Sequence, residues 1–340
     1  MYSYTIQEYS LQFKVPAKTS RNVFTSRTIF LITLKDESTG KTGTGEASPL
    51  SLLSLDDVPN YQHVLDEQLQ AFCLHGSLDQ MSLFDYPSIR FGIETALLNL
   101  KADSQGRIYQ TPFTQGKKNI PINGLVWMND AEKMYEEAIT KINAGFDVIK
   151  IKVGALDFDK ECRLLEKIRN HYSAFKVTLR IDANGSFASD EALEKLSELS
   201  RFELHSIEQP IATKQWDWMQ KICRESPIDV ALDEELMGIS VEDESQKMLR
   251  HISPQYLILK PNLIGGVSIA DAWISQANSQ GIGWWATSAL ESNVGLNAIA
   301  QWVSTYNISM HQGLGTGALF ENNLPSSLII HEGTMKFVQK

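Results

Sequence analysis

The sequence predicts an α/β protein, a closed (β/α) barrel preceded by a small α+β unit. Two observations carry that prediction. After Pro112, short apolar strands alternate with amphipathic helices about seven or eight times over about 200 residues, and repetition of that length favours a closed parallel barrel over an open sheet. Five of those strands in succession end in a charge, at Lys152, Asp182, Glu208, Asp233 and Lys260. The ends of barrel strands are where the active sites of such barrels lie.

The elements follow in order. YTIQEYSLQF alternates polar and apolar residues as a strand does. The polar stretch KVPAKTSRN interrupts, and RTIFLITLKD predicts a second strand. DESTGKTG is a glycine turn, and TGTGEASPL closes the small sheet. DDVPNYQHVLDEQLQAFC predicts a helix with Asp56 and Asp57 near its start, and YPSIRFGIETALLNLKADSQG a second ending near Gly106. These elements place the α+β unit at residues 1–112. IPINGLV is then a strand, and NDAEKMYEEAITKINAG a helix closed by glycine. The alternation runs from DVIKIKV to ISMHQGL and places the barrel at 113–318. The tail, 319–340, is too short for a domain and is expected to pack back on the first unit.

Composition narrows the function classes. Hydrophobic residues make up 43% of 340, enough for the core of one large domain or two. The net charge of −10 argues against nucleic acid or an anionic membrane as partner. No apolar run is long enough to span a bilayer, and MYSYTIQEYS does not read as a signal peptide. Cys73, Cys162 and Cys223 are odd in number and far apart, so they form neither a disulfide framework nor a CxxC site. A cytoplasmic protein is the expectation. A homo-oligomer is left open.

Strand parity argues that the charges form a site. Side chains alternate across a strand. Ile149, Ile151 and Val153 share one face of DVIKIKV, and Lys150 and Lys152 the other. By the same parity Asp182 and Asn184 point inward after Thr178 and Arg180, and Lys260 after Tyr256 and Ile258. Parity with Asp229 and Ala231 favours Asp233 over its neighbour Glu234. Any one of these residues alone would be an ordinary solvated or capping charge. Five in succession would be costly to bury unless paired or bound to metal. Three carboxylates make a hard oxygen cage suited to Mg²⁺, with Mn²⁺ as the alternative. No His or Cys joins them, which disfavours zinc. The set suits removal of a proton next to a carboxylate, with the metal holding the charge that develops. Lys152 is the expected base. A lysine serves as base only when neutral, and a like-charged neighbour such as Lys150 and a nearby cation favour that state. Lys260 is either a second acid/base or a cation that stabilises the intermediate.

The motifs IKIKVG, RIDANG, IEQP, ALDEE and LKPNLIGG, in this order, resemble the enolase superfamily and its muconate-lactonizing subgroup. The resemblance covers essentially the whole chain. It implies a modified (β/α)7β barrel, TIM-like, with an N-terminal capping domain. It implies Asp182, Glu208 and Asp233 as Mg²⁺ ligands, Lys152 as base and Lys260 as the opposite lysine. Lys150 would support Lys152, and Asn184 would stand behind the ligands. A Lys base with Mg²⁺ is the superfamily's known pattern.

Within the subgroup, TSALESNVGLNAIAQW, GLGTGALFENN and KTSRNV, with Thr19, Ser20 and Arg21, are similar to the o-succinylbenzoate synthases. That likeness implies a small-molecule carboxylate substrate. The implied reaction is dehydration of 2-succinyl-6-hydroxy-2,4-cyclohexadiene-1-carboxylate to o-succinylbenzoate, in menaquinone biosynthesis. Dipeptide epimerases carry an acidic DxD pair where this chain reads GLGTG, and no histidine lies in a mandelate-type motif; His311 is expected to be structural. The expected substrate contacts are Arg21, Ser288, Glu291, Gly315 and Thr316. Gly313, Gly315 and Gly317 permit close backbone approach to a ligand, or a tight returning loop. Ser288 and Glu291 fit either a substrate-tail contact or a capping box. Two other readings stand beside this one. One is an N-acylamino acid racemase or cycloisomerase of the same subgroup, and the other is a catalytically silent barrel that only binds.

Overall fold

The computed structural model describes residues 1–18, 23–103 and 106–338. Thr19, Ser20 and Arg21 lie outside the described residues.

The chain opens with an antiparallel sheet, β1 (Tyr2–Lys18), β2 (Val23–Asp36) and β3 (Thr42–Ala47), in that order. Of the polar stretch expected to interrupt it, residues 14–18 instead continue β1, and residues 19–22 lie outside the described residues. β1 runs on to Lys18, and its register on β2 slips between Gln12 and Ala17. Pro16 falls in the slip. It has no N–H to give a ladder, so the irregularity absorbs it. Two helices follow, α1 (Tyr61–His75) and α2 (Pro87–Leu100). The first starts later than expected, because Asp56 serves the other helix. Its buried Oδ2 accepts from Ser88 N at 2.8 Å and Ser88 Oγ at 2.6 Å, in the first turn of α2. That second helix also ends short of Gly106, at Leu100, and beyond it Asp103 accepts from the Arg107 amide and guanidinium. It lies so close on β3 that a Cβ on Gly45 would fall 2.1 Å from the Gly92 carbonyl oxygen. Phe30, Ile32, Leu65, Phe72 and Ile93 fill the space between helices and sheet.

IPINGLV divides into β4 (Ile120–Pro121) and β5 (Gly124–Val126). Then come α3 (Ala131–Asn143), β6 (Val148–Lys152), α4 (Phe158–Arg169), β7 (Thr178–Asp182), α5 (Ala192–Leu199), β8 (Ser206–Glu208), α6 (Trp216–Glu225) and β9 (Asp229–Leu232). After these are α7 (Ser245–Ile252), β10 (Tyr256–Leu259), α8 (Pro261–Ile264), α9 (Val267–Ser279), β11 (Gly283–Ala286) and α10 (Asn293–Val303). β5 to β11 form one parallel seven-stranded sheet in sequence order. The eighth position is short. Gln312 bridges Ile122 and Gly313 bridges Thr287, both parallel, and these bridges join the two edges of the sheet. Ala231, Ile258 and Trp285 plug the barrel interior below the strand ends, and Arg180 lies over the Trp285 ring at 3.9 Å. His311 pairs with Asp147, which precedes β6, at 2.8 Å. It therefore stands at the opposite end of the barrel from the charged strand ends.

The tail does only part of what was expected. Glu321 N donates to Gln12 O, and Phe13 bridges Phe320, so residues 320–322 do meet β1. The rest forms a hairpin, β12 (Leu328–His331) and β13 (Thr334–Phe337), which pairs with β4. Two carboxylates then join cap to barrel at helix N-termini, where unpaired amides favour negative charge. Glu94 accepts from Val267 N at 2.6 Å and Ser268 N at 3.0 Å. Glu46 accepts from Ser292 N and Gly295 N, both at 2.9 Å. No helix of the described residues is long and apolar enough to cross a membrane.

The close approach of α2 to β3 gives a test. Gly45→Ala is expected to destabilise the protein by about 1–3 kcal/mol or more, as overpacking does. Urea unfolding of the variant beside the parent measures it.

Candidate active site

Three strand ends stand side by side. Lys152 on β6 is in register with Asp182 on β7, and Asp182 with Glu208 on β8. Asp233 directly follows β9, and Lys260 directly follows β10. With the eighth position filled, β6 and β10 are diametric, so Lys152 and Lys260 face each other across the mouth. The structure thus brings together Lys150, Lys152, Asp182, Asn184, Glu208, Asp233, Glu234 and Lys260.

Their contacts are close. Lys150 Nζ lies 2.8 Å from Asp182 Oδ2 and 2.5 Å from Glu208 Oε2. Lys152 Nζ reaches Asp182 Oδ2 and Asn184 Oδ1, both at 2.7 Å. Lys260 Nζ donates to Asp233 Oδ2. Asn184 Nδ2 donates to Glu234 Oε1 at 3.0 Å. Asn184 itself sits at φ 45°, a left-handed conformation that asparagine tolerates better than most residues. Burial raises the Asp182 carboxyl, but the ammonium groups of Lys150 and Lys152 outweigh it and hold it well below the usual range. Burial and the neighbouring charge of Asp182 push the Glu208 carboxyl well up. Burial alone would lower the Lys260 ammonium, yet Asp233 and Glu208 raise it well above its ordinary value.

The set fits a divalent cation. Among the described residues no three carboxylate, imidazole or thiol groups close into a cage as they stand, because lysine ammonium groups sit between the carboxylates. Glu208 Oε1 is buried without a hydrogen-bond partner, with Lys260 Nζ 4.0 Å away. The cluster also holds four carboxylates against three ammonium groups. Burial and that excess of carboxyl groups push the Glu208 carboxyl up, and a hard dication held by Asp182, Glu208 and Asp233 would relieve it.

A cavity of about 440 Å³ opens above these residues. Lys150, Lys152, Asn184 and Lys260 line it, with Phe24 and Leu50 of the cap. Ser288, Gly315 and Thr316 also line it, and Thr316 Oγ1 donates to Ser288 Oγ at 2.7 Å. Glu291 does not, which corrects its expected place against substrate. It is wholly buried, and its Oε2 accepts from Ser288 Oγ at 2.5 Å and Ala289 N at 2.8 Å. The expected capping box is corrected as well. Ser292 caps α10, through Val294 N, and Ser288 stands in the loop before it. Of the three late glycines only Gly315 has room for a Cβ, which would lie 3.5 Å from Asn123 O, an ordinary contact. A Cβ on Gly313 would meet Thr287 Oγ1 at 2.4 Å, and one on Gly317 would meet Asn293 Oδ1 at 2.9 Å. Arg21 lies outside the described residues.

The family model described as enolase C-terminal domain-like matches residues 133–340, and that of the MenC N-terminal domain matches 1–100. An o-succinylbenzoate synthase of Desulfotalea psychrophila is 42% identical, over 96% of each chain. The chain belongs to the o-succinylbenzoate synthase family of the enolase superfamily. The crystal structure of MenC from Desulfotalea psychrophila matches with TM-score 0.84 and 38% identity, covering 98% of this chain and 99% of that one. A dipeptide epimerase of Enterococcus faecalis, complexed with Mg and a dipeptide, shares the fold with TM-score 0.84 at 17% identity, over 99% and 96% of the two chains.

Sequence reasoning missed Arg27. It is buried on β2, in phase with Ile29 and Leu31, and that misplaced charge in an apolar row was its signal. Its guanidinium donates to Ala289 O in the cavity wall and to Ser48 O in the cap. Asn262 Nδ2 donates to the same Ser48 carbonyl at 2.7 Å. The next wall residue, Leu290, is held at φ 67°, a strain that surrounding contacts must over-determine. In this family member Arg27 thus fixes the wall that carries Ser288. Arg27→Met is expected to raise KM roughly 10-fold or more with kcat changed only a few-fold, the size of one lost charged hydrogen bond. Steady-state kinetics, with circular dichroism to verify folding, checks it.

Proposed function

We infer that the chain is an o-succinylbenzoate synthase, a hydro-lyase that dehydrates 2-succinyl-6-hydroxy-2,4-cyclohexadiene-1-carboxylate to o-succinylbenzoate in menaquinone biosynthesis. The observation that carries this reading is the likeness to an o-succinylbenzoate synthase along nearly the whole chain. The site geometry supports the roles that follow. Asp182, Glu208 and Asp233 would hold Mg²⁺, or Mn²⁺ in its place. When bound, the ion supplies positive charge beside the substrate carboxylate.

Lys152 takes the proton from the carbon next to the ring carboxylate. Asn184, 2.7 Å from its Nζ, keeps that nitrogen aimed into the cavity. Lys260, anchored on Asp233, faces the other side of the ring and stabilises the anion spread over it. Lys152, now protonated, gives its proton to the departing hydroxyl, and water leaves as the ring becomes aromatic. Lys150 stays a charged support between Asp182 and Glu208. Ser288, Gly315 and Thr316 face the succinyl arm. The Gly313–Gly317 segment carries no carboxylate to hold a substrate ammonium, which weighs against a dipeptide substrate. The cytoplasm is the proposed location.

Lys152→Ala is expected to cut turnover by about 10²–10⁴-fold or more, as loss of a general base does. Mg²⁺ affinity measured by calorimetry should stay near the parent's. Near-parent turnover would remove Lys152 from the role of base. Asp233→Asn should weaken Mg²⁺ binding far more than Glu234→Gln, and calorimetric titration of both variants would expose the opposite order.

A further inference from the structure

Gln209 directly follows Glu208 in the IEQP motif and takes no part in the chemistry above. It is 1% exposed and stands at φ 39°. A glutamine held in the left-handed region needs contacts that over-determine it. It has them on three neighbouring strand ends. Its carbonyl oxygen accepts from Gly185 N at 2.7 Å, beyond β7. Its amide donates to Ala231 O on β9 at 2.9 Å. Its side-chain Oε1 accepts from Asp233 N and Glu235 N, both at 3.3 Å. Its Nε2 donates to Ile211 O at 3.0 Å and to Glu235 Oε2 at 3.2 Å. Every hydrogen-bonding group of this residue is therefore engaged.

Glu235 completes the arrangement. It is 3% exposed, and its Oε1 accepts from Lys214 N at 2.8 Å and Trp216 Nε1 at 3.0 Å. The loop after β8 and the turn after β9 are thus tied through one carboxamide–carboxylate pair. Glu208 and Asp233 leave the backbone on either side of it, and Asp182 stands on the strand bonded through Gly185.

We propose that Gln209, anchored by Glu235, is the positioning residue that sets the mutual spacing of Asp182, Glu208 and Asp233. The proposal rests on the reading of those three as the metal ligands. Groups that orient ligands from behind typically change metal affinity 10–100-fold when removed. The chemical identity of the pair matters. Glu235 accepts from three donors across its two oxygens, which a carboxamide cannot do. Gln209 must both accept and donate, which a carboxylate cannot do.

The test is calorimetric titration of the full chain with Mg²⁺, beside thermal denaturation. Gln209→Glu places two carboxylates in contact and is expected to weaken Mg²⁺ roughly 10-fold or more. Glu235→Gln, a milder change should the first variant fold poorly, is expected to weaken it by a similar factor through a donor–donor clash. The double variant Gln209→Glu/Glu235→Gln restores a donor facing an acceptor. It should regain part of the affinity, since the donor–acceptor pair is restored while a carboxylate oxygen now faces Ile211 O in place of the bond there. Single variants that bind Mg²⁺ like the parent overturn the proposal, whatever their melting temperatures. So does a well-folded double variant that recovers none of the affinity. A parent chain that binds no Mg²⁺ would instead overturn the ligand reading beneath it.

Discussion

Lys150 and four carboxyl groups are buried together at the mouth of the barrel with Lys152 and Lys260 half-buried beside them, and the rest of the structure is organised around keeping them compensated. Taking such groups out of water costs several kcal/mol each unless their partners are placed well. Parallel register supplies the placement. It sets Lys152, Asp182 and Glu208 on one rung, and the left-handed Asn184 turns its amide back onto Lys152. A divalent cation held by Asp182, Glu208 and Asp233, as proposed above, would relieve the crowding that pushes the Glu208 carboxyl up.

The cap serves this site from two directions. Its residues roof the cavity, with Phe24 and Leu50 among them above the charged strand ends. Its buried carboxylates, Glu46 and Glu94, sit on the N-termini of barrel helices α10 and α9, and Arg27 holds the carbonyl of Ala289. Cap and barrel are therefore joined through polar groups buried at their interface. Losing any one of them would leave an unpaired partner in a dry place, at a cost of about 1–3 kcal/mol. The loop between β11 and α10 takes its shape from these contacts, although its sequence belongs to the barrel.

The barrel was legible because its information is local. Strand parity, helix periodicity and the charge ending each of five strands all lie within a few residues of one another. Asp182, Glu208, Asp233 and both opposed lysines could be picked out on that basis, and the structure gathers them at one mouth. What escaped depends on distant partners. Asp56 looks like the start of its own helix, yet its carboxylate serves Ser88 on the next. Glu291 looks like a partner for Ser288 in a capping box, but Ser292 caps the helix and Glu291 is sealed beneath the wall. Arg27 carried a faint signal, a cation in an apolar row. The final hairpin carried none, because its pairing partner, β4, lies about 200 residues earlier.

The proposed chemistry is a metal-dependent dehydration carried out by lysines at this mouth. The most direct measurement follows the diene absorbance of 2-succinyl-6-hydroxy-2,4-cyclohexadiene-1-carboxylate on adding the purified protein, with Mg²⁺ and with a chelator. Rapid loss of the diene signal with Mg²⁺, formation of o-succinylbenzoate and arrest by the chelator are expected. An unchanged diene signal from folded protein that still binds Mg²⁺ would contradict the dehydration. Turnover of equal rate under chelator would contradict the role given to the three carboxylates.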